Sequence, residues 1–358
     1  MPDNSTPIYP PAGHFDRVHR KYGPRVYLSI GSALVCVILT LVYVLRPLGA
    51  DPITIWPFWF WALPAIAMSA FSISRRNLTW GIVTIAVWIA VVAIVPEEPA
   101  ILLRSALHRN LPNMAQLPSS PNSLRVITLN CSGGTAMAAA EVFQYNPDIV
   151  LLQEAPAEAE LHKLLGIWPR WAMTATHGPA IVARGEFTPV QVPTDKQGLV
   201  CSATVSPEGV RTPTQILVIS ARLNLPELRM DFWRPETWRV AAGTQAIRGD
   251  QMADIASVLA DQRPISGMPT ILGGDFNTPA GDALFDHLRP TLRDAFAEAG
   301  TGWPNTIVNS APIARIDQIW VSEHFSVDAA RAVRTIHSDH RMVIVDLTVN
   351  QPEPQSTP

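Results

Sequence analysis

Thr270-Ile271-Leu272-Gly273-Gly274-Asp275-Phe276-Asn277 reads as a short β-strand that runs into a polar turn. The first three residues are β-prone and apolar. The two glycines leave room for close approach of backbone or ligand. Asp275 and Asn277 are two apart, so an extended segment turns both side chains the same way. A carboxylate there accepts a proton from water or binds a metal. An amide beside it orients a nucleophile or donates to a phosphoryl oxygen. A bare tight turn is the simpler reading of the same five residues.

Working outward, other apolar runs end in comparable groups. Leu124–Leu129 ends at Asn130, and Asp148–Leu152 ends at Gln153-Glu154. Further strands are expected at 180–183, 200–205, 215–220, 316–321 and 342–347, with helical periodicity over Gln245–Leu259. Asp317 lies between apolar neighbours in Arg315-Ile316-Asp317-Gln318-Ile319-Trp320, and a carboxylate so placed needs a partner. His340, in Ser338-Asp339-His340, is the candidate, because an Asp–His pair fixes the tautomer and favours imidazolium. Glu154 is a hard-oxygen ligand suited to Mg²⁺. Taken singly, Glu154 reads equally as a solvated strand-end residue and His340 as a structural histidine. Strands that alternate with helices in no strict rhythm imply an α/β fold of two packed sheets flanked by helices.

The N-terminal part has a different chemistry. Val26–Leu45 and Ile55–Ile73 are uncharged runs, and Trp80–Val95, extended back to about residue 78, is a third. About 20 apolar residues cross the roughly 30 Å of a bilayer core. Trp56, Phe58, Trp59, Phe60 and Trp61 suit an interfacial belt. Arg17, Arg20, Lys21 and Arg25 precede the first run, and Arg75 and Arg76 separate the second from the third. Basic flanks stay in the cytoplasm. Three transmembrane helices at about 26–45, 55–73 and 78–95 then carry the rest of the chain outside it, to the periplasm or cell exterior. The expected layout is a cytoplasmic segment 1–25, the membrane region 26–96, a linker 97–122, a catalytic domain 123–350 and a disordered tail 351–358.

Residues 121–350 hold 18 Lys+Arg against 24 Asp+Glu, an acidic balance that disfavours tight non-specific nucleic-acid binding. Cys36, Cys131 and Cys201 form no metal-type spacing. A Cys131–Cys201 disulfide is chemically permitted in an oxidising compartment, and two buried thiols are the commoner arrangement.

Five pieces in order resemble the endonuclease/exonuclease/phosphatase superfamily, with its DNase I-like fold. They are Val126–Asn130, Leu151–Glu154, Gly273–Pro279, Arg315–Ile319 and Ser338–His340. The resemblance implies a four-layer α/β sandwich with its site at one end of two mixed sheets. It implies that Glu154, with Asn130, binds Mg²⁺ or Mn²⁺, and that Asp339 is a second metal-side or water-ordering carboxylate. Asp275 would activate water, Asn277 would position it, and Asp317 would orient His340 on the scissile phosphate. The implied reaction is single-step hydrolysis of a phosphodiester or phosphomonoester. The substrate would be a lipid headgroup, a nucleic acid or a small phosphoester, and the bilayer would be the other partner, with no obligate protein partner evident. A catalytically weak binding or signalling module is the alternative.

One position departs from the family pattern. A histidine or tyrosine is common after the strand that ends near Ser220, and here Arg222 stands there. Arginine grips phosphate but cannot give up its proton as a general acid. Beyond it, Arg222, Arg229, Arg234, Arg239 and Arg248 are interleaved with Phe232, Trp233 and Trp238. That segment reads either as a substrate-facing loop resting on an apolar surface or as a packed amphipathic helix with solvated arginines.

Overall fold

Residues 25–75, 77–107, 122–166, 170–196, 198–208, 210, 214–262 and 267–350 are described by the computed structural model. The expected segment 1–25 lies outside them except for its last residue, as do residues 108–121 of the expected linker and the tail 351–358. The chain divides into two units, residues 1–46 with 57–96, and residues 47–56 with 97–358.

Among the described residues, the first unit contains α1 (Arg25–Leu45) and the helices Phe58–Ser72 and Leu78–Ile94. Its polarity is inverted relative to a water-soluble bundle. Leu34, Val37, Phe71 and Ile89 face outward. Inside, Ser29 pairs with Ser72 and Ser32 with Ser69, each at 2.7 Å. Asn77 Nδ2 donates to Ser29 at 3.0 Å, and Trp88 Nε1 to Ser32 at 2.9 Å. Small and hydroxyl side chains at helix contacts, with apolar ones outside, suit an apolar surrounding. Among the described residues, only α1, with 21 residues, is by itself long and apolar enough to cross a membrane; the other two helices have 15 and 17. The second helix starts at Phe58 rather than Ile55 because Pro57 is extended and closes off the preceding turn.

The second unit takes in more than the expected catalytic domain. Between α1 and the Phe58–Ser72 helix, α2 (Asp51–Thr54) belongs to it; with α3 (Phe58–Ser72) and α4 (Leu78–Ile94) numbered in order, so does α5 (Glu98–Leu107). Residues 97–107, expected to be linker, are therefore folded. The buried Arg315 guanidinium donates to Glu97 at 2.7 and 2.8 Å, Asn305 donates to Glu98 at 3.0 Å, and Ile101 enters the core. Likewise, Arg248 is not a solvated arginine. It is 2% exposed and forms a buried ion pair with Asp51, while Gly49 N donates to Gln245 Oε1 at 2.6 Å.

Then follow β1 (Ser123–Asn130), α6 (Ala136–Glu141), β2 (Ile149–Gln153), α7 (Glu158–Leu165), β3 (Trp171–Ala175) and β4 (Ala180–Val190). After them come β5 (Val200–Pro207), β6 (Ile216–Arg222), α8 (Pro235–Gln262), β7 (Thr270–Asp275), β8 (Arg293–Asp294) and α9 (Ala295–Ala299). The last strands are β9 (Asp317–Val321), β10 (Phe325–Val333) and β11 (Met342–Val349). Each central strand is apolar on both faces, as burial between two layers requires. Ile216 and Val218 join the inner core with Val126, Leu151, Ile271 and Ile319. Their neighbours Leu217 and Ile219 pack outward against Met252 and Ile255 of α8. Ile127 and Leu129 meet Ala138 of α6 and Leu161 of α7 on the opposite exterior.

The two expected sheets are one. The strands form a single hydrogen-bonded path β10-β11-β1-β2-β4-β5-β6-β7-β9-β8, with β3 on β4. Long β4 joins the halves: residues 180–183 pair with β2 and residues 185–190 with β5. Gly185 makes the passage, at φ +120° and with Ser206 O only 2.2 Å from where a Cβ would stand. Only glycine fits that conformation and that space.

Candidate active site

The topology gathers the polar strand ends at one edge. β1 runs parallel to β2, and β6 parallel to β7, so Asn130, Glu154, Arg222 and Asp275 all emerge at C-terminal ends. β9 and β11 run antiparallel to their neighbours, which brings Asp317 and His340 to the same edge from N-terminal ends. Arg222 stands in register with Asp275, and Asp275 with Asp317. The second glycine is explained by backbone, not ligand: a Cβ on Gly274 would lie 1.8 Å from Ala221 O.

Asp275 is fully buried. Its Oδ2 accepts from Asn130 Nδ2 at 2.9 Å and its Oδ1 from the Asn277 N–H at 3.0 Å. Asn277 lies close to Asp275, but by a route other than an extended strand. The chain turns at Asn277, φ +48°, and its Nδ2 donates to Leu223 O at 2.8 Å. Burial, then the nearby Asp317 charge, raises the Asp275 carboxyl above its ordinary value, against the pull of His340.

His340 Nδ1 is hydrogen-bonded to Asp317 Oδ2 at 2.9 Å, the pair expected from the sequence. Burial works against the imidazolium, but the charge and hydrogen bond of Asp317 outweigh it and lift His340 to about 10. The imidazole therefore carries a positive charge at neutral pH. Ser338 fixes the loop: its Oγ donates to Asn130 O at 2.7 Å and accepts from His340 N at 3.0 Å.

Glu154 has a left-handed φ of +44° and receives three donors. Asn130 Nδ2 lies 3.1 Å and Arg222 Nη2 2.6 Å from its Oε1, and Gly133 N lies 2.6 Å from its Oε2. Burial favours its neutral form, but Asn130, Gly133, Arg222 and His340 together hold the carboxyl below the ordinary range. Ser132, Glu154 and Asn277 share positive φ without being glycine, an arrangement that clusters at functional sites.

The Asp339 side chain is 64% exposed, hydrogen-bonded to Ser132, and 4.0 Å from His340 Nε2. Asn130 turns its Nδ2, not its Oδ1, toward Glu154, and the Oδ1 accepts from Ser132 N at 2.9 Å. Sequence reading gave no role to Gly133, Ser338 or Gln153. Gln153 Nε2 ties Thr128 and Ser220 together behind the site, each at 3.1 Å. The pair Gly133-Gly134 after a strand end was the available signal, the same one that drew attention to Gly273-Gly274.

Among the described residues, Asp275, Asp317 and His340 form the group whose ligand atoms lie within 4.8 Å of one another. An imidazolium bonded through Nδ1 to a carboxylate is a poor metal ligand, since ligation needs the neutral ring. The oxygens of Glu154 and Asp275 suit a hard cation better. Asp317 Oδ1 is buried without a hydrogen-bond partner, and the carboxyl of Asp275 is raised by burial and then by the neighbouring Asp317 charge. A divalent cation at this edge fits both facts.

The sequence profile of the endonuclease/exonuclease/phosphatase family matches residues 127–340. The chain belongs to that family. By family, it is a hydrolase of phosphate esters. No curated protein matches it significantly. Among solved structures, a family protein from Bacteroides thetaiotaomicron is 17% identical, with a TM-score of 0.51, covering 64% of this chain and 99% of its own. A mannosyl-6-phosphatase from the same organism is also 17% identical, with a TM-score of 0.50, covering 63% and 99%. At such identity, these neighbours speak to the fold of the second unit alone.

Proposed function

We propose that this chain is a membrane-anchored, divalent-cation-dependent phosphoesterase that hydrolyses its substrate by in-line attack of water. The observation that carries the reading is the hydrogen-bonded Asp317–His340 pair beside buried Asp275 at one strand edge. His340, kept cationic by Asp317, meets the non-bridging oxygens where negative charge builds. Asp275, its carboxyl raised toward neutrality, takes the proton of the attacking water. Asn277 braces Asp275 through its backbone N–H and orients the water with its side-chain amide. Glu154 and Asn130 would hold Mg²⁺ or Mn²⁺, with Asn130 turning its Oδ1 inward; the ion supplies Lewis-acid polarisation of the phosphoryl group. Asp339, exposed at the rim, orders water rather than ligating the ion.

Arg222 was expected on the substrate. Its guanidinium bonds Glu154, so it sets the carboxylate's charge and direction and keeps one face for a phosphate oxygen. It releases no proton, so the leaving oxygen takes one from water or from His340. A second reading, a weakly catalytic binding module, draws on the same contact: Arg222 occupies the oxygen that a cation would use.

The anchoring reading rests on the inverted polarity of the first unit and on the basic groups before α1 and between α3 and α4. Three crossings put residues 47–56 and everything after Glu97 on one side. Both stretches belong to one folded unit, as that topology requires. The catalytic unit then lies outside the cytoplasm.

The test is turnover of bis(p-nitrophenyl) phosphate, p-nitrophenyl phosphate, DNA and phospholipid by the full chain with Mg²⁺ or Mn²⁺. Wild type is expected to be active, with EDTA, Asp275→Asn or His340→Ala each removing at least about 10²-fold in rate. Full activity in any of the three, or none in wild type, rejects the catalytic assignment.

A further inference from the structure

The loop after Arg222 does something that the chemistry above leaves unused. Leu225, Leu228, Met230 and Trp233 are 60%, 56%, 42% and 79% exposed. Their backbone is not loose. Arg229 grips Asp231 at 2.6 and 3.1 Å, Trp238 Nε1 donates to Phe232 O at 2.9 Å, and Asn224 N donates to Gln251 Oε1 at 2.8 Å. Polar groups are thus satisfied inward while apolar tips point out. That arrangement leaves four large apolar side chains of one nine-residue loop uncovered in water.

The loop is fixed at both ends. At one end it begins in the active site, where Leu223 N donates to Asp275 O at 3.0 Å and Leu223 O accepts from Asn277. At the other it enters α8, whose Trp238, Ala242, Gln245 and Arg248 seat residues 49–51. The chain runs from that seat directly into α1 on one side and α3 on the other. If those helices cross a bilayer, their ends lie at its surface, and so does the segment bound to α8. Trp, Leu and Met with arginines around them are the side chains that settle in the interfacial layer. Arg229, Arg234 and Arg239 are matched in number by Glu227, Asp231 and Glu236, so apolar insertion rather than charge selects the surface.

We propose that the Leu225–Trp233 loop seats in the interfacial layer of the bilayer that carries the chain, so that the site takes phosphate esters borne on lipid headgroups. The proposal rests on the anchored-phosphoesterase reading and narrows its substrate class.

The experiment uses the full chain in phosphatidylcholine nanodiscs containing phosphatidylglycerol, with phosphatidic acid and sphingomyelin as further lipid substrates. A fluorophore on Trp233→Cys is expected to be quenched at least about twofold by lipids brominated near the headgroup, and one on Glu186→Cys not at all. Equal quenching at both, or none at Trp233→Cys, overturns insertion. The triple variant Leu225→Ser, Leu228→Ser, Trp233→Ser is expected to lose about tenfold or more on a lipid ester while keeping bis(p-nitrophenyl) phosphate turnover within about twofold. Equal loss on both substrates, or on neither, overturns the proposal. Wild type that cleaves only the soluble ester overturns the lipid substrate. If no ester is cleaved, the phosphoesterase reading fails, and quenching still decides insertion. Release of the chain from membranes by alkaline carbonate would refute anchoring separately.

Discussion

Replacing Gly274 with alanine tests whether backbone contact between β6 and β7 builds the site. A Cβ there would lie 1.8 Å from Ala221 O, 2.8 Å from Ala221 C and 3.0 Å from Ala221 N. An unstrained carbon–oxygen contact is about 3.3 Å or longer, so the strands must part by about 1.5 Å. At that opening, neighbouring interstrand bonds, including Leu223 N to Asp275 O at 3.0 Å, are broken. Two or three buried backbone groups left unpaired cost about 1–3 kcal/mol each, hence about 2–9 kcal/mol together. That is a large share of the roughly 5–15 kcal/mol that holds a typical domain folded. Gly273 provides the internal comparison. Its nearest obstacle is the end of the Leu151 side chain at 2.5 Å, which can swing away. Gly274→Ala should therefore lower the melting temperature of the purified full chain by about ten degrees or more, and Gly273→Ala by clearly less. Any folded Gly274→Ala protein should lose about 10²-fold in turnover, because Arg222 and Asp275 are displaced together. If Gly274→Ala melts with wild type, or Gly273→Ala is the worse of the two, this account of the double glycine is wrong.

Asp317→Asn removes the charge that keeps His340 protonated. A raised histidine contributes stability fully below about pH 6.5 and loses it as pH rises through about 10. Wild-type turnover should hold on this arm to about pH 9, whereas Asp317→Asn should decline with rising pH from about neutrality; superimposable profiles would refute the pairing. Arg222→Ala frees one oxygen of Glu154 and withdraws a neighbouring positive charge, so calorimetry should record Mg²⁺ binding at least as tight as in wild type, with KM for substrate raised; weaker Mg²⁺ binding would contradict the arrangement. Arg248→Met removes one member of the buried Arg248–Asp51 ion pair, which should cost about 3–5 kcal/mol in thermal unfolding. Asp51→Asn with Arg248→Met together should recover part of that loss, and strictly additive losses would argue against coupling.

Much of the site was legible because strand ends announce themselves. An apolar run that stops at Asn130, Glu154 or Asp275 marks both a buried strand and the edge where it surfaces. The Asp317–His340 pair could be inferred because a carboxylate amid Ile316, Ile319 and Trp320 requires a partner. What stayed hidden depends on residues far apart in the chain. Asp51 lies between two apolar runs and looks like any loop acid, while its partner Arg248 sits 197 residues away among arginines that are exposed. Glu97 and Glu98 follow a helix and precede prolines, a linker pattern, until Arg315 and Asn305 arrive from more than 200 residues later. The orientation of Asn130 is equally nonlocal, set by Ser132 on one side and by Glu154 and Asp275 on the other.

The last strand of the sheet is not an edge. β11 lies between β1 and β10, pairing Met342–Val349 with the first and last long strands of its half. The place beside β1 is therefore filled by a strand more than 200 residues later in the chain, and His340 stands just before that strand. In chain order, Asn130, Glu154 and Asp275 all precede the strand that fills this place between β1 and β10. His340 is the last in sequence of the residues gathered at the strand edge. Loss of even the last ten described residues would remove an interior strand, so a prematurely terminated product should be a protease substrate rather than a weakened enzyme.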